Sequence, residues 1–325
     1  MTATRCLRGK TVCVTGGAGF IGSHLVDRLL RAEVDHVVVI DNLFLGNEDN
    51  LRDALATGRV TFYNEDVEFA SSLGYIFDRH SIAVVFNCAT KALNYSFLNP
   101  SNAFETNTRT TLNLLELQRK GVFHTLCHFS TSEVYGTAVY EPMDEAHPRN
   151  PTTTYAAGKA AADLAIESYV KMFRVDAFIV RPFNNYGPRQ NHKGLLAGII
   201  PVTARRILQG GRPELHGSGS QSRDFIHVRD TVEAVVRLFT VMPSGESVNI
   251  SSDGQVTIRD LIERICGHYK YTGPIEMKPG READVLCHNA SNAKVSSLID
   301  FELTPFQMGL AGTLDWYRAK LGVER

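Results

Sequence analysis

Tyr155 and Lys159 stand four residues apart in TTTYAAGKAAADLAIESYV, a spacing that puts both on one face of a helix. There the ammonium can lower the phenol from its usual pKa of ~10 while holding a ribose hydroxyl, which makes Tyr155 a base near neutral pH. Upstream, FSTSEVYG (129–136) sets the hydroxyls of Thr131 and Ser132 beside a single carboxylate, Glu133. That carboxylate suits proton abstraction, and it equally suits the bonding of backbone amides in a turn. Further upstream, TVCVTGGAGFIGSHLVDRLL places Gly16, Gly19 and Gly22 between an apolar run and an amphipathic one, and Gly17 with Gly19 and Gly22 also fits GxGxxG. Glycines let the backbone turn tightly and approach a pyrophosphate, which then rests on the free N–H groups at a helix start. Asp41 follows the last glycine by 19 residues, at the end of VVVI, where an acid binds the adenosine ribose hydroxyls. Its charge would repel a 2′-phosphate, so NAD is expected over NADP. Asp66, after the third apolar run, fits either the adenine edge or a solvated loop.

These residues need a scaffold. The chain's 325 residues, 43% hydrophobic and 21% charged, are enough for a large buried core. A net charge of -1 provides no basic field for nucleic acid or a membrane surface, so a small-molecule partner is expected. Cys6, Cys13, Cys88, Cys127, Cys266 and Cys287 are dispersed without a CxxC pair, which points to reduced thiols and no metal site. No signal-peptide core precedes the first apolar run and no stretch approaches the ~18–20 apolar residues of a span. A cytoplasmic protein is expected.

TVCVT (11–15), VVVI (37–40), VTFYN (60–64), AVVFNCA (83–89), TLCHFS (125–130) and AFIVRPF (177–183) read as strands, alternating with helical stretches such as 24–30, 112–120 and 155–173. Alternation of this kind builds βαβ units, and continuous apolar strands suit a parallel sheet covered on both faces. The expected fold is α/β: a Rossmann doubly wound sheet with a smaller, discontinuous C-terminal substrate unit. NNYGPRQNHKGLLAG after 183 reads as the loop where the sheet stops. DTVEAVVRLF (230–239) and ESVNIS (246–251) read as one more helix and strand returning to it. The expected division is therefore 1–183 with 230–252 for the dinucleotide, and 184–229 with 253–325 for the substrate.

Taken together, TGGAGFIGSHL, DNL (41–43), TNTRTTLNLLE, STSEVYG, YAAGK, RPFNNYGPRQ and SRDFIHVRDTVEA stand in the order of the extended short-chain dehydrogenase/reductases, and the chain resembles their nucleotide-sugar epimerase/dehydratase branch over residues 10–240. PGREADV and SNAKVSSLIDFELTPF resemble its C-terminal part. The resemblance implies that Thr131 hydrogen-bonds the sugar O4, with Tyr155 as base and Lys159 as its cofactor-bound partner. It implies cofactor contacts from Gly16, Gly19, Phe20, Ile21, Gly22, Asp41, Asn42, Asp66, Val67, Ala89 and Asn107. Asn185 matches a residue near the sugar-phosphate, with Asn184 and Arg189 in the same stretch, while Arg223 and Arg281 match arginines that grip the diphosphate, a task for which a planar guanidinium is suited. Lys91 and Asn94 fall on the nicotinamide side; the lysine departs from the usual small or apolar residue and is assigned a contact with cofactor or substrate. The helices near 103–119 and 155–173 resemble the pair through which the family forms homodimers.

The family's shared first step is C4 oxidation, in which Tyr155 takes the O4 proton and NAD the C4 hydride. A 4,6-dehydratase then needs a base over C5 and an acid near O6, with Glu133 fitting the base and Ser132 standing where many dehydratases carry Asp. Uronate decarboxylases also resemble STSEVYG, but their proline-rich stretch after the fourth strand is replaced here by ATKALNYS. Simple 4-epimerases usually carry small or hydroxyl residues at the Glu133 position. Dehydratase is therefore the leading reading, followed by UDP-glucuronate decarboxylase and then 4-epimerase. A regulator that binds NAD and a nucleotide without turnover is the alternative of another class; such relatives usually lose the tyrosine or lysine retained here.

Overall fold

Short β-branched and apolar runs separated by glycine, asparagine and aspartate turns set the frame of the molecule. The computed structural model describes residues 5–280, 287 and 289–322. Strands β1 (Thr11–Thr15), β2 (His36–Ile40), β3 (Val60–Tyr63), β4 (Ile82–Asn87), β5 (Thr125–Phe129) and β6 (Asp176–Pro182) join a seventh, Ser247–Ile250, in one sheet. The spatial order is Ser247–Ile250, β6, β5, β4, β1, β2, β3, and every neighbouring pair is parallel. Chain direction across the sheet therefore reverses between β1 and β4, the point at which the carboxyl ends of the strands open a crevice.

Alternate residues of each strand feed two cores. Val12, Val14, Val37, Val39, Phe86, Phe178 and Val180 pack under α1 (Phe20–Arg31) and the helix Val228–Val241. Cys13, Val38, Ile40, Val85, Leu126, Ala177 and Ile179 pack under the helices Ala70–Phe77, Pro100–Arg119 and Thr154–Phe173. Both faces are covered, which is why the strands read as unbroken apolar runs. Each long helix has a defined start: Pro100 stands at the first position with Asn99 accepting from the Asn102 N–H, and Thr153 accepts from the Ala156 N–H. Arg174, in the left-handed region, ends the second.

A third core lies beyond β6. Tyr186, Ile200, Leu215, Phe225, Leu261, Ile262, Leu314 and Tyr317 hold together short paired strands and the helices Ile199–Leu208, Ile258–Tyr269 and Phe306–Lys320. The helix Val228–Val241 returns to lie on α1, fastened by Arg28 Nε to Glu233 Oε2 at 2.5 Å, and Ser247–Ile250 returns to the edge of β6. Among the described residues no helix is long and apolar enough to cross a membrane, no group of side chains is placed to hold a metal ion, and the six cysteines form no disulfide.

Candidate active site

The crevice starts where β1 turns into α1. Gly16 takes φ +68°, and a Cβ there would stand 2.8 Å from the Ala89 nitrogen; one on Gly22 would stand 2.2 Å from the Gly16 oxygen. Only glycine closes this loop. Gly16, Gly19, Phe20, Ile21 and Gly22 line the cleft, and the first turn of α1 supplies the free N–H groups that suit a pyrophosphate. Asp41 lines it from the end of β2, its Oδ2 accepting the Ala18 N–H at 3.0 Å and its Oδ1 the Leu43 N–H at 2.8 Å. Burial pushes this carboxyl up, and the backbone donors pull it back. Asn42 Nδ2 donates to Asp66 Oδ2 at 2.7 Å, and both line the cleft with Val67 and Ala89. A cradle that a Cβ would fill, a helix start and an acid at the next strand end fit NAD.

Across the switch point stands the reacting end. Thr131 and Tyr155 line the same cleft. Residues Ser132–Tyr135 form a single 3-10 turn, capped by Thr131, whose Oγ1 accepts the Glu133 N–H at 3.2 Å. This turn sets Glu133 close enough to Tyr155 for its charge to raise the phenol. Ser132, the first residue of the turn, is buried. Tyr135 is structural: its hydroxyl donates to Asn249 Oδ1 at 2.8 Å and accepts from Arg181 Nη1 at 2.9 Å, tying the turn to β6 and the last strand.

Burial drives the Tyr155 phenol up to about 12, outweighing hydrogen bonding from Thr131 and Thr90. This differs from the lowered phenol that the Tyr155–Lys159 spacing suggests. The physical reason is that Lys159 is itself buried, donates from Nζ to the Phe129 carbonyl at 2.8 Å, and is pulled down to about 8 by desolvation. Thr90, which carries no spacing signal in the sequence, lines the cleft and donates to Asn107 Oδ1 at 2.9 Å.

The remaining candidates divide. Lys91 lines the cleft, nearly buried, with Nζ 3.8 Å above the centroid of Phe44 and 5.7 Å from that of Tyr95. Asn107 is fully buried behind the wall, where its Oδ1 also accepts the Lys91 N–H at 2.9 Å and shapes the loop after β4. Asn185 lines the cleft, its Oδ1 accepting from Thr231 Oγ1 at 2.7 Å. Asn94 donates to the Ala197 carbonyl at 3.3 Å and Asn184 to that of Asp224 at 3.3 Å, so both spend their amides on loop structure. Arg189 lies elsewhere, in a second groove beside α1, where its guanidinium pairs with Asp27 Oδ2 at 2.9 Å. Arg223 stands on the two-residue strand Ser222–Arg223, with Nη1 donating to the Ser222 carbonyl at 2.9 Å. Arg281 lies outside the described residues.

The model of the NAD dependent epimerase/dehydratase family matches residues 12–251. A UDP-glucose 4-epimerase of Mycolicibacterium smegmatis is 30% identical over 309 residues, 94% of this chain and 98% of that protein. UDP-glucuronic acid decarboxylase 6 of Arabidopsis thaliana is 30% identical over 320 residues, 97% of this chain and 90% of that one. A dTDP-glucose 4,6-dehydratase from Streptomyces venezuelae, solved with NAD bound, superposes with a TM-score of 0.91 at 29% identity, covering 96% of this chain and 98% of the other.

Proposed function

This chain belongs to the NAD dependent epimerase/dehydratase family, and NAD is its cofactor; from that premise we propose that it is a nucleotide-sugar 4,6-dehydratase working through a 4-keto sugar. The observation that carries chemistry beyond C4 oxidation is Glu133, whose charge bears on the Tyr155 phenol from a turn that Thr131 caps, and ATKALNYS in place of a proline-rich stretch ranks elimination above decarboxylation. NAD held by the glycine loop and Asp41 would supply the hydride acceptor and donor for the sugar and a positive charge in the cleft lined by a phenol that otherwise keeps its proton. Thr131 holds the sugar O4 against Tyr155, which takes the O4 proton. The 4-keto group acidifies C5–H, and Glu133 removes that proton as the C6 hydroxyl leaves. Ser132, buried in the turn, is a poor proton donor to that hydroxyl, so Glu133 is read as serving both ends of the elimination.

The readings behind it are UDP-glucuronate decarboxylase, then 4-epimerase; the fully retained Tyr155, Lys159 and Thr131 speak against a binding protein without turnover. The substrate is read as a sugar on a nucleoside diphosphate, held by Asn185 and Arg223 and by Arg281 of the undescribed stretch. The unit formed by 184–229 and 253–325 is read as its binding domain. Phe104 and Leu112 on one helix and Leu164, Met172 and Phe173 on the next are exposed apolar residues, which supports a homodimer through that pair. Unpaired cysteines are in keeping with a reducing, cytoplasmic setting.

Glu133→Gln tests the assignment. It is nearly isosteric but accepts no proton, so C4 oxidation proceeds and elimination stalls. Reduced nicotinamide should accumulate by absorbance while dehydrated product falls by roughly 10²–10⁴-fold. Full dehydratase turnover in Glu133→Gln would remove the carboxylate from the mechanism.

A further inference from the structure

Around Lys159, at and behind the cleft wall, stands a group of buried polar side chains for which the reaction as proposed has no use. Asp163, one helical turn beyond Lys159 on the same face, is fully buried, as is His128 of β5, and Ser130 is nearly so. Arg181 of β6 donates from both Nε (3.1 Å) and Nη2 (2.9 Å) to one oxygen of Asp163, Oδ2. The other oxygen, Oδ1, has Ser130 as a neighbour that helps hold the carboxyl ionised, and His128 Nε2 makes no hydrogen bond among the described residues.

The ring of His128 can be oriented. With the Asn87 amide as it is placed, Oδ1 accepts Thr15 Oγ1 at 2.7 Å and the nitrogen faces His128 Nδ1 at 3.1 Å, and in that orientation Nδ1 accepts. The ring proton therefore sits on Nε2, 4.0 Å from Asp163 Oδ1. Burial, with Lys159 and Arg181 nearby, holds this histidine well below its usual pKa and neutral. One half of the Asp163 carboxylate is thus locked to Arg181, and the other half is turned toward His128 and Ser130.

A buried ammonium is costly unless a counter-charge faces it. Lys159 has the Phe129 carbonyl as its hydrogen-bond acceptor. The groups bearing on it are Asp163 and Tyr155 on its own helix, His128 on β5, Cys88 after β4 and, through Asp163, Arg181 on β6. His128 is neutral, burial pushes the Cys88 thiol far up, and Tyr155 keeps its proton. Asp163 remains as the carboxylate favouring the charged lysine; burial raises its pKa, and Arg181 and Ser130 pull it back down.

We propose that Asp163 is a positioning residue for Lys159: fixed by Arg181 through one oxygen and turned toward His128 and Ser130 with the other, it keeps the lysine charged in a site that otherwise strips its charge. The inference rests on the reading of Lys159 as the lysine that holds the cofactor ribose.

The test is NAD affinity by calorimetry as a function of pH, without any sugar substrate. In the wild-type protein affinity should fall as pH rises through about 8, where Lys159 loses its proton. In Asp163→Asn that midpoint should move down by about one to two pH units, the size of a lost close counter-charge, and Asp163→Glu should restore it. If Asp163→Asn does not fold, Asp163→Asn/Arg181→Met removes the Arg181 charge together with its partner, leaves Lys159 alone without its carboxylate, and should also move the midpoint down. A folded Asp163→Asn protein, or the folded double variant, with the wild-type midpoint would overturn the inference, since loss of a purely structural ion pair lowers stability without moving that midpoint. Lys159→Met should abolish the step. A step that persists in Lys159→Met would overturn the role of the lysine itself, and the two failures are distinct.

Discussion

Tyr155 and Lys159 carry the clearest chemical signal in the sequence, and the helix Thr154–Phe173 sets them on one face as their spacing requires. Their electrostatics were not legible there, because burial is a property of the whole fold: the phenol is raised to about 12 and the lysine lowered to about 8 by desolvation. Tyr155→Phe should lower turnover by roughly 10²–10⁴-fold and leave NAD bound, read by assay and by cofactor content after purification. Near-normal turnover in Tyr155→Phe would mean that oxidation starts at another group. In STSEVYG the carboxylate stands out, but its context does not: the motif's tyrosine serves a buried network with Arg181 and Asn249, residues 46 and 114 positions away. The same distance in sequence hides the group formed by His128, Asp163 and Arg181, which no local pattern brings together. Arg189 illustrates the converse, a residue within a recognisable stretch whose guanidinium faces Asp27 and α1.

The strands and long helices were legible because their apolar periodicity is sustained. Each of the expected sheet strands is present, with boundaries differing by a residue or two, as the ends of elements do. The single turn Ser132–Tyr135 and the paired two- and three-residue strands beyond β6 have too few residues to show a period, and they are held by side-chain caps and by distant partners. The glycine loop permits a comparison at this level. Gly22→Ala puts a methyl group against the Gly16 carbonyl and should cost about 1–3 kcal/mol of stability and weaken NAD binding sharply. Gly74→Ala, in the helix Ala70–Phe77 with open space around the added carbon, should instead be neutral or stabilise by up to about 1 kcal/mol. Thermal melts of both variants decide it; equal effects would mean that the close approach of α1 to the loop is not what requires Gly22.

For the whole molecule, the parallel sheet, its two covered faces and a crevice at the reversal between β1 and β4 account for one cleft that joins a dinucleotide cradle to the Thr131 hydroxyl and the Tyr155 phenol, with Glu133 on the turn that follows Thr131. Three reactions are represented among similar proteins at comparable identity, so overall likeness does not separate them. They differ in what leaves the sugar and in whether C5 exchanges with solvent. The most direct test is mass analysis of the products formed in heavy water from a panel of UDP-, GDP- and dTDP-sugars, uronates included. A dehydratase working through Glu133 gives a product that has lost water, with deuterium at C5, because the proton removed exchanges before reprotonation. Loss of carbon dioxide from a uronate, or an unchanged mass with inverted C4 and no label, would contradict the account.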